Sequence, residues 1–158
     1  MLPFEEQFLR KAWQAAVNAH HVFPEMAACE AGLESGYGRS QLASQDRNLF
    51  GMKQHQHPIY GTVSLPTREF ISGEWLALNS NWIVYPDWQS CFADRIATLV
   101  RLASIYPHYK AALNAANGAE YVRQVSQTWS TDPKRADKVL AIFNAIVGDW
   151  SATETHSP

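Results

Sequence analysis

The chain predicts a predominantly helical α+β domain, with one small antiparallel β-hairpin set between two helical halves. Three observations carry that expectation. Apolar residues recur at three-to-four spacing in both the N-terminal and C-terminal parts of the chain. β-forming residues concentrate in one central stretch, Thr62 to Tyr85, broken by Ile71-Ser72-Gly73. The 158 residues, 46% of them hydrophobic, suffice for one sizeable core and not comfortably for two.

The elements follow in order. From Pro3 to His20, apolar residues at Leu9, Ala12/Trp13, Ala16/Val17 and His20 form one helical face. Pro24-Glu25 opens a second helix in favoured first-turn positions, and it runs through Met26, Ala27 and Leu33 to a stop at Gly36-Tyr37-Gly38. Ser40 to Asn48 reads as a short helix or turn. Thr62 to Phe70 and Trp82 to Tyr85 read as strands, and Glu74 to Asn81 between them as strand, bulge or loop. Helices return after Pro86-Asp87, with Asp87 as N-cap and Phe92, Ile96, Leu99/Val100 and Ala103 as the apolar face. Pro107 to Asn114 makes a short helix, punctuated by Asn117-Gly118. Tyr121/Val122, Val125 and Trp129 mark the next. Asp132-Pro133 starts the last, carried by Ala136, Val139/Leu140, Phe143 and Ile146/Val147. Residues 1–150 therefore read as one domain, and Ser151 to Pro158 as a frayed polar tail.

Composition narrows the function. A formal net charge of −2 gives no electrostatic case for a nucleic-acid partner. No segment has the apolar length of a membrane span. Cys29 and Cys91 both fall at apolar helical positions and read as buried free thiols. Met1-Leu2-Pro3-Phe4 has neither the basic start nor the apolar run of a signal peptide, so the chain is expected to be made in the cytoplasm.

The chemistry centres on Glu34, in Leu33-Glu34-Ser35-Gly36-Tyr37-Gly38. The glycine stop leaves it in the last turn of a helix. There the negative end of the helix dipole and an apolar wall of Leu33 and Tyr37 both disfavour the anion, which suits a proton donor for a glycosidic oxygen. A glycosidase also needs a second group on another element. Glu69, in Thr67-Arg68-Glu69-Phe70 on the hairpin, meets that requirement; the alternative is a surface strand glutamate paired with Arg68 or another base. Glu30, one turn before Glu34, reads as a structural or rim residue. His55-Gln56-His57 has no third partner in the sequence, so no metal site and no cofactor are expected.

The blocks Leu33 to Ser40, Leu42-Ala43 and Asn48-Leu49-Phe50-Gly51-Met52-Lys53 resemble the peptidoglycan N-acetylglucosaminidases of glycoside hydrolase family 73, which include bacterial autolysins and the flagellar rod-cap hydrolase. The resemblance continues through Thr67 to Phe70, Trp82 to Tyr85 and Trp129 to Pro133, and so spans nearly the whole chain. It implies a lysozyme-like fold with a glycan groove beside the hairpin. It also implies endo-hydrolysis of the β-1,4 bond between N-acetylglucosamine and N-acetylmuramic acid, with peptidoglycan strands as the partner of a monomer. Glu34 matches the family's general acid and Glu69 its second carboxylate. Tyr37, Asn48, Phe50, Tyr85 and Trp129 match positions that bind substrate or support the groove. Trp129 stands where the family usually has tyrosine, Arg47 replaces the first of two asparagines, and Arg135 occupies a usually aromatic place.

Two alternatives stay open. A muramidase or lytic transglycosylase uses a similar glutamate at a helix end, and a catalytically inactive glycan-binding or phage-tail module is a further possibility. The implied place of action is the bacterial cell wall, reached through holin release, secretion or virion delivery.

Overall fold

The computed structural model describes residues 1–55 and 59–154, with the side chains of Glu69 and residues 148–154 outside the description. Helix α1 (Pro3–Asn18) buries Phe8, Leu9, Ala12 and Ala16 along one stripe. Helix α2 (Pro24–Ser35) packs against α1 and against two helices from the C-terminal part of the chain, Gly118–Trp129 and Arg135–Glu154. Every residue from Met26 to Gly32 is consequently buried, and the helix is rich in alanine, whose small side chains let its neighbours approach.

The end of α2 follows the glycine signal. Gly36 takes the left-handed conformation at φ +58°, and its N–H donates to the Gly32 carbonyl. Gly38, at φ +81°, lies so close to α1 that a Cβ there would sit 2.9 Å from the Phe8 ring. Ser40 then caps the short helix α3 (Gln41–Asp46), accepting from the Ala43 N–H at 3.2 Å.

Strands β1 (Thr62–Ile71) and β2 (Glu74–Ile83) form a two-stranded antiparallel hairpin. The stretch Glu74 to Asn81, which the sequence leaves open, is continuous with the returning strand. Ser72 and Gly73 both have positive φ, at +52° and +84°, as a two-residue primed turn requires. The hairpin is an arm: β2 is exposed from Glu74 to Asn79. Its root is tied down by an isolated bridge from Lys53 to Trp82.

Asp87 caps helix α4 (Trp88–Leu102) as expected, accepting from the Ser90 N–H at 2.7 Å. The buried stripe of α4 is rotated from the expected one. Val100 is 60% exposed, whereas Arg95 is fully buried beside Cys91, Phe92 and Leu99. Helices α5 (Pro107–Leu113) and α6 (Gly118–Trp129) pack together, with Asn117 capping α6. The last helix, α7 (Arg135–Glu154), starts two residues after Pro133 and runs on to Glu154, into the stretch expected as tail; residues 155–158 lie outside the description. Val139 and Ile146 are buried on α7, but Val147 is 41% exposed. Both cysteines are free and buried, and burial pushes each thiol up to about 12. No helix among the described residues is long and apolar enough to cross a membrane.

Candidate active site

A cleft of about 410 Å³ opens beside the end of α2. Glu34 stands on one wall, with 26% of its side chain exposed. The segment Phe50 to Lys53 makes the floor. His55, the α4 residues Thr98 and Arg101, and Tyr109, Trp129 and Ser130 complete the lining. Among the described lining residues Glu34 is the one carboxylate, set against Lys53, His55 and Arg101.

The floor owes its shape to Asn48, which is 1% exposed. Its Nδ2 donates to the carbonyls of Met52 and Ile83, each at 2.9 Å, and its Oδ1 accepts from the Met52 N–H at 3.0 Å. One amide side chain thus closes the Asn48–Met52 loop and ties it to the hairpin root. Asn48 therefore holds up the groove from behind: both Nδ2 hydrogens are spent on backbone, and its side chain is not among the residues lining the cleft.

Phe50 and Trp129 meet edge to face with centroids 6.2 Å apart. The buried guanidinium of Arg95 lies 4.5 Å from the Phe50 ring centre and 4.2 Å from that of Trp129. Arg95 thus stacks under two groove aromatics at once. The sequence reading missed it, although its spacing from Cys91 and Leu99 places it on the buried stripe of α4.

Behind the cleft lies a charged cluster. Glu30 is fully buried, accepting from Arg95 Nη1 at 3.1 Å, Arg95 Nη2 at 2.7 Å, Arg135 Nη2 at 2.7 Å and the Tyr121 hydroxyl at 2.6 Å. Burial alone pushes its carboxyl up, but Arg95 and Arg135 outweigh that and hold it down at about 2. Of the two roles expected for Glu30, the rim role fails and the structural one holds. His21 is lowered to about 4, first by burial and then by Arg95, whose Nη1 lies 3.4 Å from His21 Nε2.

Arg135 links this cluster to the cleft: its Nε donates to Glu34 Oε1 at 2.9 Å. The expected surroundings of Glu34, a helix end and an apolar wall, therefore gain a cation. Part of that wall is also absent. Tyr37 turns away and packs edge-on against Phe4 and Phe8 of α1, with centroids at 6.3 and 6.2 Å. The positive φ of Tyr37, +56°, sends its ring to that side, so it is no groove ring here.

Tyr85 is likewise not a groove residue. It is fully buried and donates its hydroxyl to Asp94 at 2.5 Å. Asp94 also faces His55 Nε2 at 3.7 Å, and His55 lines the cleft. Among the described residues no three His, Cys, Asp or Glu side chains converge as a metal site; His57 lies outside the description.

Glu69 sits in β1 opposite Leu76, in the same alternating row as Val63 and Thr67. Val63 pairs with Trp82, the residue bridged to Lys53 of the groove floor. Glu69 is six residues further out, about 20 Å along the arm at the usual strand rise.

The family model described as glucosaminidase, mannosyl-glycoprotein endo-β-N-acetylglucosaminidase, matches residues 10–147. The chain belongs to the glucosaminidase family. It is 30% identical over 131 residues to the exo-glucosaminidase LytG of Bacillus subtilis, covering 82% of this chain and 46% of that protein. It is 28% identical over 142 residues to a probable N-acetylmuramidase of Lactococcus lactis subsp. cremoris, covering 86% of this chain and 31% of that one. The chain thus spans less than half the length of these curated relatives.

Solved structures share the fold. The catalytic domain of the Listeria monocytogenes autolysin Auto superposes with a TM-score of 0.77 at 22% identity, covering 92% of this chain and 85% of that one. The truncated glycoside hydrolase domain of Salmonella typhimurium FlgJ gives 0.70 at 24% identity, covering 91% and 98%. The expected lysozyme-like architecture, helices around a small hairpin, is the one observed.

Proposed function

We propose that this glucosaminidase-family chain is a peptidoglycan hydrolase, cleaving the β-1,4 bond between N-acetylglucosamine and N-acetylmuramic acid with Glu34 as general acid. The observation that carries the proposal is a carboxyl in the last turn of α2, partly exposed on the wall of a cleft floored by Phe50 and flanked by Trp129. Aromatic faces suit sugar rings, and the carboxyl has the reach to protonate a glycosidic oxygen lying across them. As the exocyclic C–O bond breaks, its electron pair goes to that oxygen together with the Glu34 proton.

The positive charge left on the sugar needs an answering group. Glu69 serves as base or stabiliser when the arm folds over the bound glycan, or the substrate's own 2-acetamido group attacks and Glu69 assists. A direct covalent role would require the two carboxyls about 5 Å apart, a tighter approach than an arm-borne residue about 20 Å from the root readily makes. The chain works as a monomer on the cell wall, reached by holin release, secretion or virion delivery.

Relatives carry both glucosaminidase and muramidase names, so the product identifies the bond. Digestion of purified peptidoglycan followed by mass spectrometry is expected to show new reducing ends on N-acetylglucosamine. Reducing ends on N-acetylmuramic acid would establish a muramidase, and anhydro ends a transglycosylase. Glu34→Gln is expected to abolish lysis while leaving the fold intact. Full activity in that variant refutes the proposal, and an inactive wild type on a zymogram points to a glycan-binding module.

A further inference from the structure

We infer that Arg135 is the positioning residue for Glu34, aimed by two buried anchors, Glu30 and Ser126. The inference deepens the proposed function and rests on Glu34 being its acid. Arg135 opens α7 and is only 2% exposed. Three of its nitrogens point three ways: Nη2 to Glu30 Oε2 at 2.7 Å, Nη1 to Ser126 Oγ at 2.8 Å, and Nε to Glu34 Oε1 at 2.9 Å. A guanidinium is planar, so two fixed contacts set the direction of the third. Glu30 and Glu34 are one turn apart on α2, and the fork spans that turn.

The geometry assigns the two oxygens of Glu34 different tasks. Arg135 Nε has one hydrogen and no lone pair, so Oε1 accepts, and because a carbonyl oxygen accepts better than a carboxyl hydroxyl, a proton on this carboxyl is favoured on Oε2. In the protonation step the Oε2–H bond breaks, the proton passes to the glycosidic oxygen, and the charge left on Glu34 meets an Nε–H already in place. Glu30 makes this possible. Glu30 and Glu34 offset Arg95 and Arg135, so the buried cluster is charge-balanced and Arg135 does not depend on Glu34 alone for a counter-ion.

Lysine at position 135 keeps the charge and loses the fork. For Arg135→Lys, kcat on peptidoglycan is expected to fall on the order of 100-fold, the scale of a lost preorganised donor, with KM nearly unchanged and the melting transition retained. Added guanidinium is expected to restore part of kcat in Arg135→Ala, and sodium chloride at equal ionic strength is not. Ser126→Ala, which loosens one anchor, is expected to give a smaller kcat loss at unchanged KM. A direct probe needs no turnover: the Arg135 Nε–H resonance of 15N-labelled protein is expected to shift in Glu34→Gln.

Wild-type kcat in Arg135→Lys, or losses that only track the folded fraction, would overturn the inference. An Nε–H resonance indifferent to Glu34→Gln would do so too. If the wild type hydrolyses no peptidoglycan, the proposed function fails, and that resonance still decides whether Arg135 holds Glu34.

Discussion

Replacing Glu30 with glutamine tests how much the buried cluster holds the molecule together. Glutamine preserves the shape and removes the charge. In either orientation of the amide, its NH2 faces two donors that now point at a carboxylate oxygen: Tyr121 and Arg95 Nη1 on one side, Arg95 Nη2 and Arg135 Nη2 on the other. The guanidinium contacts become donor–donor, one on the Tyr121 side, where the hydroxyl can turn to accept, or two on the other, and the cluster acquires an uncompensated positive charge. Breaking a buried ion pair from one side costs about 3–5 kcal/mol, a large share of the ~5–15 kcal/mol that stabilises a domain. Urea unfolding at pH 7, followed by tryptophan fluorescence, is expected to show a loss of that size with the m-value unchanged.

The pH dependence sharpens the same test. Glu30 is held at about 2 in the fold against an ordinary 4.5, so between those values the unfolded chain binds more protons than the native one. The stabilisation is fully present above 4.5 and fades as pH falls toward 2, by about 3 kcal/mol for a shift of this size. The gap between wild type and Glu30→Gln is therefore expected to shrink below pH 4.5. A loss under about 1 kcal/mol at pH 7, against the 3–5 kcal/mol expected for a broken buried pair, would refute the cluster's structural weight.

Three further predictions concern other parts of the molecule. His21 is held at about 4 rather than 6.5, so wild-type stability is expected to fall as pH drops from 6.5 to 4, and His21→Asn to flatten that part of the curve; an unchanged slope would exonerate the histidine. Asn48→Ala removes three hydrogen bonds to buried backbone, leaving the Met52 N–H without its acceptor while the Met52 carbonyl keeps the Ile83 N–H, and is expected to cost about 2–4 kcal/mol in a urea melt. A loss within the scatter of the melt would mean that the floor loop is held by other contacts. Glu69→Gln is expected to cut turnover heavily, though less than Glu34→Gln, without moving the thermal midpoint. Unchanged turnover there would demote Glu69 to an ordinary strand residue.

Local signals determined a good deal. The proline starts, glycine stop and Ser40, Asp87 and Asn117 caps act within a turn of the chain, so helix α2, its termination and the position of Glu34 were legible directly. Alternation and the Ser72-Gly73 turn indicated the hairpin, but not that Glu74 to Asn81 continues the strand, because pairing partners decide that. Tyr37 and Tyr85 show the limit of reading ring types: backbone twist sends one to α1, and Asp94 takes the other's hydroxyl. Glu30 and Glu34 of α2, with Arg95 and Arg135 far away in sequence, become a charge-balanced cluster only when α2, α4 and α7 pack together. The sequence by itself therefore determined where the proposed acid, Glu34, stands. Only the tertiary structure decided what holds it, because charge pairing across a core depends on burial and approach, neither of which is written in a local run of residues.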